Sequence, residues 1–202
     1  QGANTISANI MLSEGSRLDC VLSSTNKTQP LASLISSSFN MIGAITINIT
    51  AAEKLTDGTW YKLMSGISKP IIWNDSAITL ILPGGCNATT SVLKWQGQTL
   101  SFYYDELNRL WTNATGNRRW DTASLNWKEN GNKTKYANGS SITFGNTGAG
   151  TISLIGSLKP YSVTVNNSSG YNYTWQGSGR LTGSMNLTKK GKGRLTLNTA
   201  NT

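Results

Sequence analysis

The sequence predicts an all-β protein built as a stack of short strands, and three observations carry that expectation. Segments that are apolar at every second position recur from end to end, bounded by Gly, Asn, Asp, Ser or Pro, which is the period of half-buried strands. Charged residues make up only 13% of the 202, while Asn, Ser, Thr and Gly fill the polar positions, a balance that favours strands and turns over exposed amphipathic helices. No stretch reads as a long helix.

In chain order the inward-facing sets of the first half are Ile6, Ala8, Ile10 and Leu12; Leu18, Cys20 and Leu22; Ile45, Ile47 and Ile49; Ile78, Leu80 and Leu82; and Leu100, Phe102 and Tyr104. The second half continues with Ile142 and Phe144, Ile152 and Leu154, Val163 and Val165, then Tyr171, Tyr173 and Trp175, Met185 and Leu187, and Leu195 and Leu197. The one candidate helix is Leu31-Ala32-Ser33-Leu34-Ile35, with at most one turn at Ala51-Ala52-Glu53-Lys54-Leu55. Neither can serve as the repeated crossover of a parallel α/β sheet. Strands this regular leave a sandwich, a barrel or a solenoid, which differ in how they manage strand edges. Outward positions are repeatedly Thr, Ser and Asn, among them Thr143, Thr164, Asn172, Thr174, Asn186 and Thr196, side chains that suit the stacked outer faces of a parallel β-helix.

Charge is unevenly placed. Residues 1–110 hold seven basic and seven acidic side chains, whereas residues 111–202 hold eleven basic ones against Asp121 and Glu129. Such asymmetry points to an anionic partner or to solubility alone. The longest apolar runs, Pro70-Ile71-Ile72-Trp73 and Leu80-Ile81-Leu82, fall far below the roughly 18 residues of a membrane-spanning helix, and no signal peptide opens the chain. The two cysteines, Cys20 and Cys86, form a disulfide in an oxidising compartment or remain buried free thiols, and the sequence leaves both open.

The chain contains no histidine, which removes Ser-His-Asp and Cys-His nucleophile pairs and the usual zinc sites. Catalysis would rest on carboxylates, yet the nine acids are scattered: Asp105 and Glu106 are adjacent and face opposite sides of a strand, and Glu14 and Asp19 meet only across a turn. The expectation is therefore no enzyme and no cofactor. Lys189-Lys190-Gly191-Lys192-Gly193-Arg194 lacks the strand-to-helix context and Gly-Lys-Ser/Thr ending of a nucleotide loop and reads as a basic corner between strands.

From Trp111 onward the sequence resembles the autotransporter-associated β-strand repeat of secreted bacterial proteins. Trp120 and Trp127, with Asp121 and Asn126, match its opening tryptophan pair, and Ala137-Asn138-Gly139-Ser140-Ser141-Ile142-Thr143-Phe144 its following strand. Gly150-Thr151-Ile152-Ser153-Leu154 and Val163-Thr164-Val165 come next. The closing stretch runs Tyr173-Thr174-Trp175-Gln176-Gly177-Ser178-Gly179-Arg180-Leu181-Thr182-Gly183, then Leu187-Thr188-Lys189-Lys190-Gly191-Lys192-Gly193-Arg194-Leu195-Thr196-Leu197 and Ala200-Asn201-Thr202. Residues 1–110 resemble the family less closely, through Leu55-Thr56-Asp57-Gly58-Thr59-Trp60-Tyr61-Lys62-Leu63. Independently of the resemblance, Gly177, Gly179, Gly183, Gly191 and Gly193 fall between strands, where corners need positive φ or leave no room for Cβ. Leu181, Leu187, Leu195 and Leu197 are expected to line one apolar interior.

The resemblance implies a right-handed parallel β-helix with two stretches, residues 1–110, which carry a small appended subdomain, and residues 111–202, continuous with them. It implies a monomeric fragment of a secreted or outer-membrane-associated passenger, an adhesin-like or structural scaffold whose membrane-embedded translocator lies outside this chain. A polysaccharide-processing enzyme on the same fold is the alternative. Nucleic acid is not an expected partner, because exported proteins seldom meet it. The expected contact surface is the cluster Arg118, Arg119, Lys128, Lys133 and Lys135, with Trp120, Trp127 or Tyr136 offering ring faces where exposed, for acidic glycans of a host or of the same cell. The Asn-x-Ser/Thr triplets at Asn26, Asn48, Asn113, Asn132 and Asn186 are expected to reflect an Asn- and Thr-rich composition.

Overall fold

The structure, a computed structural model, describes residues 4–6, 9–34, 39–66 and 73–201. It is all-β, with short 3-10 turns at Ser24–Lys27 and Asp75–Ala77 and no α-helix among the described residues. The helix expected at residues 31–35 is a strand instead: Ala32–Leu34 lies between Asn4–Ile6 and Thr59–Ser65, and the ladder satisfies a backbone too short to nucleate a helix. Ile35 is outside the described residues, as are Ala8, Ile71 and Ile72. Residues 51–55 end a strand and turn through a bend.

The chain divides into two compact units, Gln1–Asp105 and Glu106–Thr202. In the first, strands pair in parallel with strands 28 to 33 residues further on. Asn4–Ile6, Ala32–Leu34 and Thr59–Ser65 form one row, Ile10–Leu12 and Phe39–Met41 a second, and Arg17–Leu22, Ile45–Ala51 and Ile78–Ile81 a third. Cys20, Leu22, Ile45, Ile47 and Ile49 are buried as the alternation requires. The hairpin Val92–Gln96/Thr99–Tyr104 then pairs antiparallel with Thr59–Ser65 and covers that edge.

The second unit repeats the plan with a shorter period. Asn108–Trp111, Ser141–Phe144, Ser162–Asn166 and Asn186–Lys190 lie side by side in parallel. So do Arg119–Trp120, Gly150–Leu154, Tyr173–Gln176 and Leu195–Leu197, and a third row pairs Ser157–Leu158 with Arg180–Leu181. Later partners are 21 to 24 residues apart, but the first are 33 or 34 apart because the hairpin Trp127–Glu129/Asn132–Thr134 is inserted between them.

In-register pairing turns the alternation into columns. Ile142, Val163 and Leu187 align, as do Ile152, Trp175 and Leu197, and in both columns the first two members are fully buried while the third is not. Leu187 is 39% and Leu197 43% exposed, which corrects the expectation that all four late leucines line the interior: Leu181 is buried, Leu195 half-buried, and the other two have a stacked neighbour on one side only. Tyr171 is likewise exposed, lying outside a strand. Outward threonines align as expected in the columns Thr143, Thr164, Thr188 and Thr151, Thr174, Thr196.

Two residue types close the corners. Asparagine side chains reach from one turn of the stack to the next: Asn138 accepts from the N–H of Lys159, Asn146 from Ser168 and Asn172 from Arg194, each at 2.8 Å, so corner amides outside the ladders are satisfied. Glycines sit where backbones meet. Gly191 has φ +69° and a Cβ there would lie 2.2 Å from the Asn167 carbonyl oxygen; at Gly179 a Cβ would lie 2.5 Å from the backbone of Leu154 and Ile155.

Val163→Asp, which places an unpaired charge in the middle of a column, is expected to cost several kcal/mol and to lower the unfolding temperature by on the order of 15 °C or prevent folding. Leu197→Asp is expected to shift it by only a few degrees. Thermal unfolding by circular dichroism checks the contrast, and equal losses would contradict the placement of Leu197 at an open edge.

Candidate functional site

The basic and aromatic residues of positions 109–136 surround one end of the second core, and the structure sorts them into interior and surface. Trp111, Trp120 and Trp127 are fully buried and Tyr136 nearly so. Trp120 meets Trp127 at 5.5 Å, Tyr136 at 5.7 Å, and Phe144 and Trp175 each at 5.3 Å between ring centroids, mostly edge-to-face. Burying a tryptophan removes about 150–250 Å² from water, worth roughly 4–6 kcal/mol. That outweighs the roughly 1–3 kcal/mol cost of leaving the indole N–H of Trp120, Trp127 or Trp175 without an acceptor. The ring faces expected to meet a ligand at Trp120, Trp127 and Tyr136 are therefore core, and burial pushes the Tyr136 phenol well above its ordinary range.

The loop leading to Trp120 is pinned by buried Asn126. Its Nδ2 donates to Asn117 Oδ1 at 2.6 Å and to the Arg119 carbonyl at 2.8 Å, and its Oδ1 accepts from the backbone and hydroxyl of Thr115. Arg118 is held at φ +55°, in the left-handed region, by its N–H donating to Asn113 Oδ1 and its Nη1 to the Ala149 carbonyl, both at 2.9 Å. Arg119 faces Asp121 at 3.8 Å. Both arginines thus have partners within the protein, and they belong to the row containing Gly150–Leu154, whereas Lys128 and Lys133 sit on the hairpin beside Asn108–Trp111. The five cations expected to form one cluster are divided between two sheets.

The hairpin carries a local cation pair. Lys128 lies directly opposite Lys133, both exposed, with exposed Lys135 two residues on. Directly opposed like charges are unfavourable by a few tenths of a kcal/mol to about 1 kcal/mol. The hairpin's own acid does not relieve them, because Glu129 Oε2 meets Arg109 Nη1 at 2.5 Å and Arg109 Nε donates to the Lys135 carbonyl at 3.1 Å. Arg109 is only 8% exposed and aligns with Ile142, heading an apolar column with a paired guanidinium. The sequence reading missed this role, although the apolar alternation Arg109, Trp111 on one face was available to signal it.

The carboxylates are spent on local structure. Glu14 accepts from the Ala44 N–H at 2.6 Å, Asp19 from Asn48 and Arg17, Asp121 from the N–H groups of Ala123 and Ser124, and Glu106 from the Ser141 hydroxyl at 2.5 Å. Asp105 gathers Thr90, Asn87 and Ser91 around residues 87–91. Among the described residues no three His, Cys, Asp or Glu side chains gather as metal ligands, and no helix is long and apolar enough to cross a membrane. An open apolar hollow of about 320 Å³ in the first unit is lined by Ile10, Leu12, Leu18, Cys20, Phe39 and Met64, among others.

The disulfide is corrected: Cys20 and Cys86 are both free thiols, Cys20 buried in the apolar face of Arg17–Leu22 and Cys86 donating through Sγ to the Ser91 hydroxyl at 2.9 Å. No family model matches this chain, and no curated protein or solved structure matches it either.

Burial pushes the Cys20 thiol up to about 11, with the neighbouring Asp19 charge adding to the effect. A folded-state value raised above the ordinary thiol value of 9.0 means that this contribution to stability is complete below pH 9 and is lost as pH rises through 11. Unfolding temperature measured from pH 8 to 11 is expected to fall more steeply in the parent than in Cys20→Val. Alkylation at neutral pH, read by mass spectrometry, is expected to modify Cys20 only after unfolding; rapid modification in the native protein would contradict its buried placement.

Proposed function

We propose that this chain is a segment of a secreted or surface-displayed bacterial passenger, wound as a right-handed parallel β-helix, that acts as an adhesin-like scaffold binding anionic glycans. The observation that carries the reading is the in-register stacking of parallel strands at a spacing of 21 to 24 residues, with apolar columns inside and threonine columns outside. A stack of this kind presents extended, regular faces that suit long polymers better than small molecules. Support for an anionic partner comes from eleven basic residues against two acids in residues 111–202 and from the opposed Lys128 and Lys133, whose repulsion a bound anion relieves.

Under this reading the protein is retained on heparin at about 50 mM salt and released as the Debye length shrinks from about 10 Å at 0.1 M toward about 3 Å at 1 M. Replacing Lys128, Lys133 and Lys135 together by Gln is expected to lower the eluting salt concentration, with the unfolding temperature unchanged or slightly raised. Absence of retention at 50 mM salt contradicts glycan binding. Shortening of an acidic or neutral polysaccharide that disappears when one Asp or Glu is replaced contradicts the scaffold role in favour of an enzyme.

A further inference from the structure

The rings of residues 111–136 are core, but a ring pair on the outward face of the first unit is only half-buried. In Thr59–Ser65, Tyr61 and Leu63 face the interior, so Trp60 and Lys62 turn away from it; in Thr99–Tyr104, Phe102 and Tyr104 face inward and Tyr103 turns away. Trp60 and Tyr103 are register partners with ring centroids 5.1 Å apart and planes tilted by 46°. Val92, 43% exposed, is the partner of Tyr103 on its other side, so three strands present an indole, a phenol and an isopropyl group in one row. The next row along the same strands is Lys62, buried Ser101 and Lys94. Lys62 is anchored by donating from Nζ to the Thr28 carbonyl at 2.9 Å, whereas Lys94 is exposed and makes no ion pair among the described residues.

We propose that Trp60, Tyr103 and Lys94 form a binding site for a uronate-bearing polysaccharide, the two rings receiving the C–H face of a sugar and the lysine its carboxylate; this rests on the glycan-binding reading above. The faces of aromatic rings are electronegative and the hydrogens on one face of a pyranose are weakly positive, so ring and sugar attract while excluding water between them. The tilt between the rings makes a shallow angle rather than a flat floor, which suits a puckered saturated ring. Two residues along a strand advance about 7 Å, and the four-carbon stem of Lys94 lets its ammonium reach back to a carboxylate borne by the stacked sugar. Neutral sugars of the same shape then keep the stacking and lose the charge contact.

Affinity electrophoresis of the full chain in gels containing polygalacturonate or its methyl ester separates the two contributions. Trp60→Ala and Tyr103→Ala are each expected to weaken binding to both polymers by roughly tenfold. Lys94→Glu is expected to weaken binding to polygalacturonate by roughly fivefold or more and to leave the ester unaffected. Trp60→Phe, which keeps a ring in the cross-strand pair, is expected to retain most of the binding and controls for loss of fold. If the parent binds polygalacturonate but the Trp60, Tyr103 and Lys94 variants match it within twofold, the site is overturned and the glycan reading survives. If the alanine variants fail to fold, Trp60→Phe and Lys94→Glu decide, and parent-like behaviour of Lys94→Glu on polygalacturonate overturns the site. If the parent binds neither polygalacturonate nor heparin, the glycan reading fails and the site with it.

Discussion

The structure depends on in-register parallel pairing between strands roughly one turn of the stack apart. A rung of four or five residues contributes two or three inward side chains, too few to bury one another, and gains its interior only when the next rung places like residues above and below them. Val163 is enclosed because Ile142 and Leu187 align with it, and Trp175 because Ile152 and Leu197 do. A slip of one residue would exchange every inward side chain for a threonine. The corner asparagines and the crowded glycines protect that register, since each fixes where one turn of chain meets the next.

A stack so built has a problem at its ends. In the second unit the first rung is covered by the hairpin of residues 127–134, which pairs antiparallel with Asn108–Trp111, and by the tryptophans that fill the space behind it. The Arg109–Glu129 pair ties the hairpin down through a charge that would be costly to bury alone. At the other end Asn186–Lys190 is exposed along its whole length, with two leucines in partial contact with water. Exposure here follows from position in the stack and not from composition, because Leu187 differs little in chemistry from the fully buried Val163.

The same distinction explains which features were legible in the sequence. Period-two alternation located the central strands, and the placement of Ile142, Phe144, Ile152, Val163 and Val165 inside is what the structure has. Alternation says nothing about whether a neighbour exists, so Leu187 and Leu197 read as interior. Basic residues near aromatic ones read as a binding patch because both types are common at such sites, but Trp120, Trp127 and Tyr136 are needed to fill the closed end of the core. One signal was present and unread: Asn130-Gly131, with φ of +48° and +82°, joins two strands as a two-residue turn, the strongest short-range hairpin signature a sequence carries. The Trp60–Tyr103 pair was not legible at all, since it joins residues 43 positions apart whose register is set by the hairpin of residues 92–104.

Function, on this account, is carried by outward faces whose regularity comes from the stacking inside, so the stacking is the claim to test first. Native-state hydrogen exchange resolved by residue reads it directly, because an amide between two rungs is held on both sides and one on the last rung is not. The account predicts strong protection in Ser141–Phe144, Gly150–Leu154, Ser162–Asn166 and Tyr173–Gln176, with protection falling off in Asn186–Lys190 and Leu195–Leu197. Equal protection of the last rung and the central ones, or fast exchange throughout the central rungs, would contradict it.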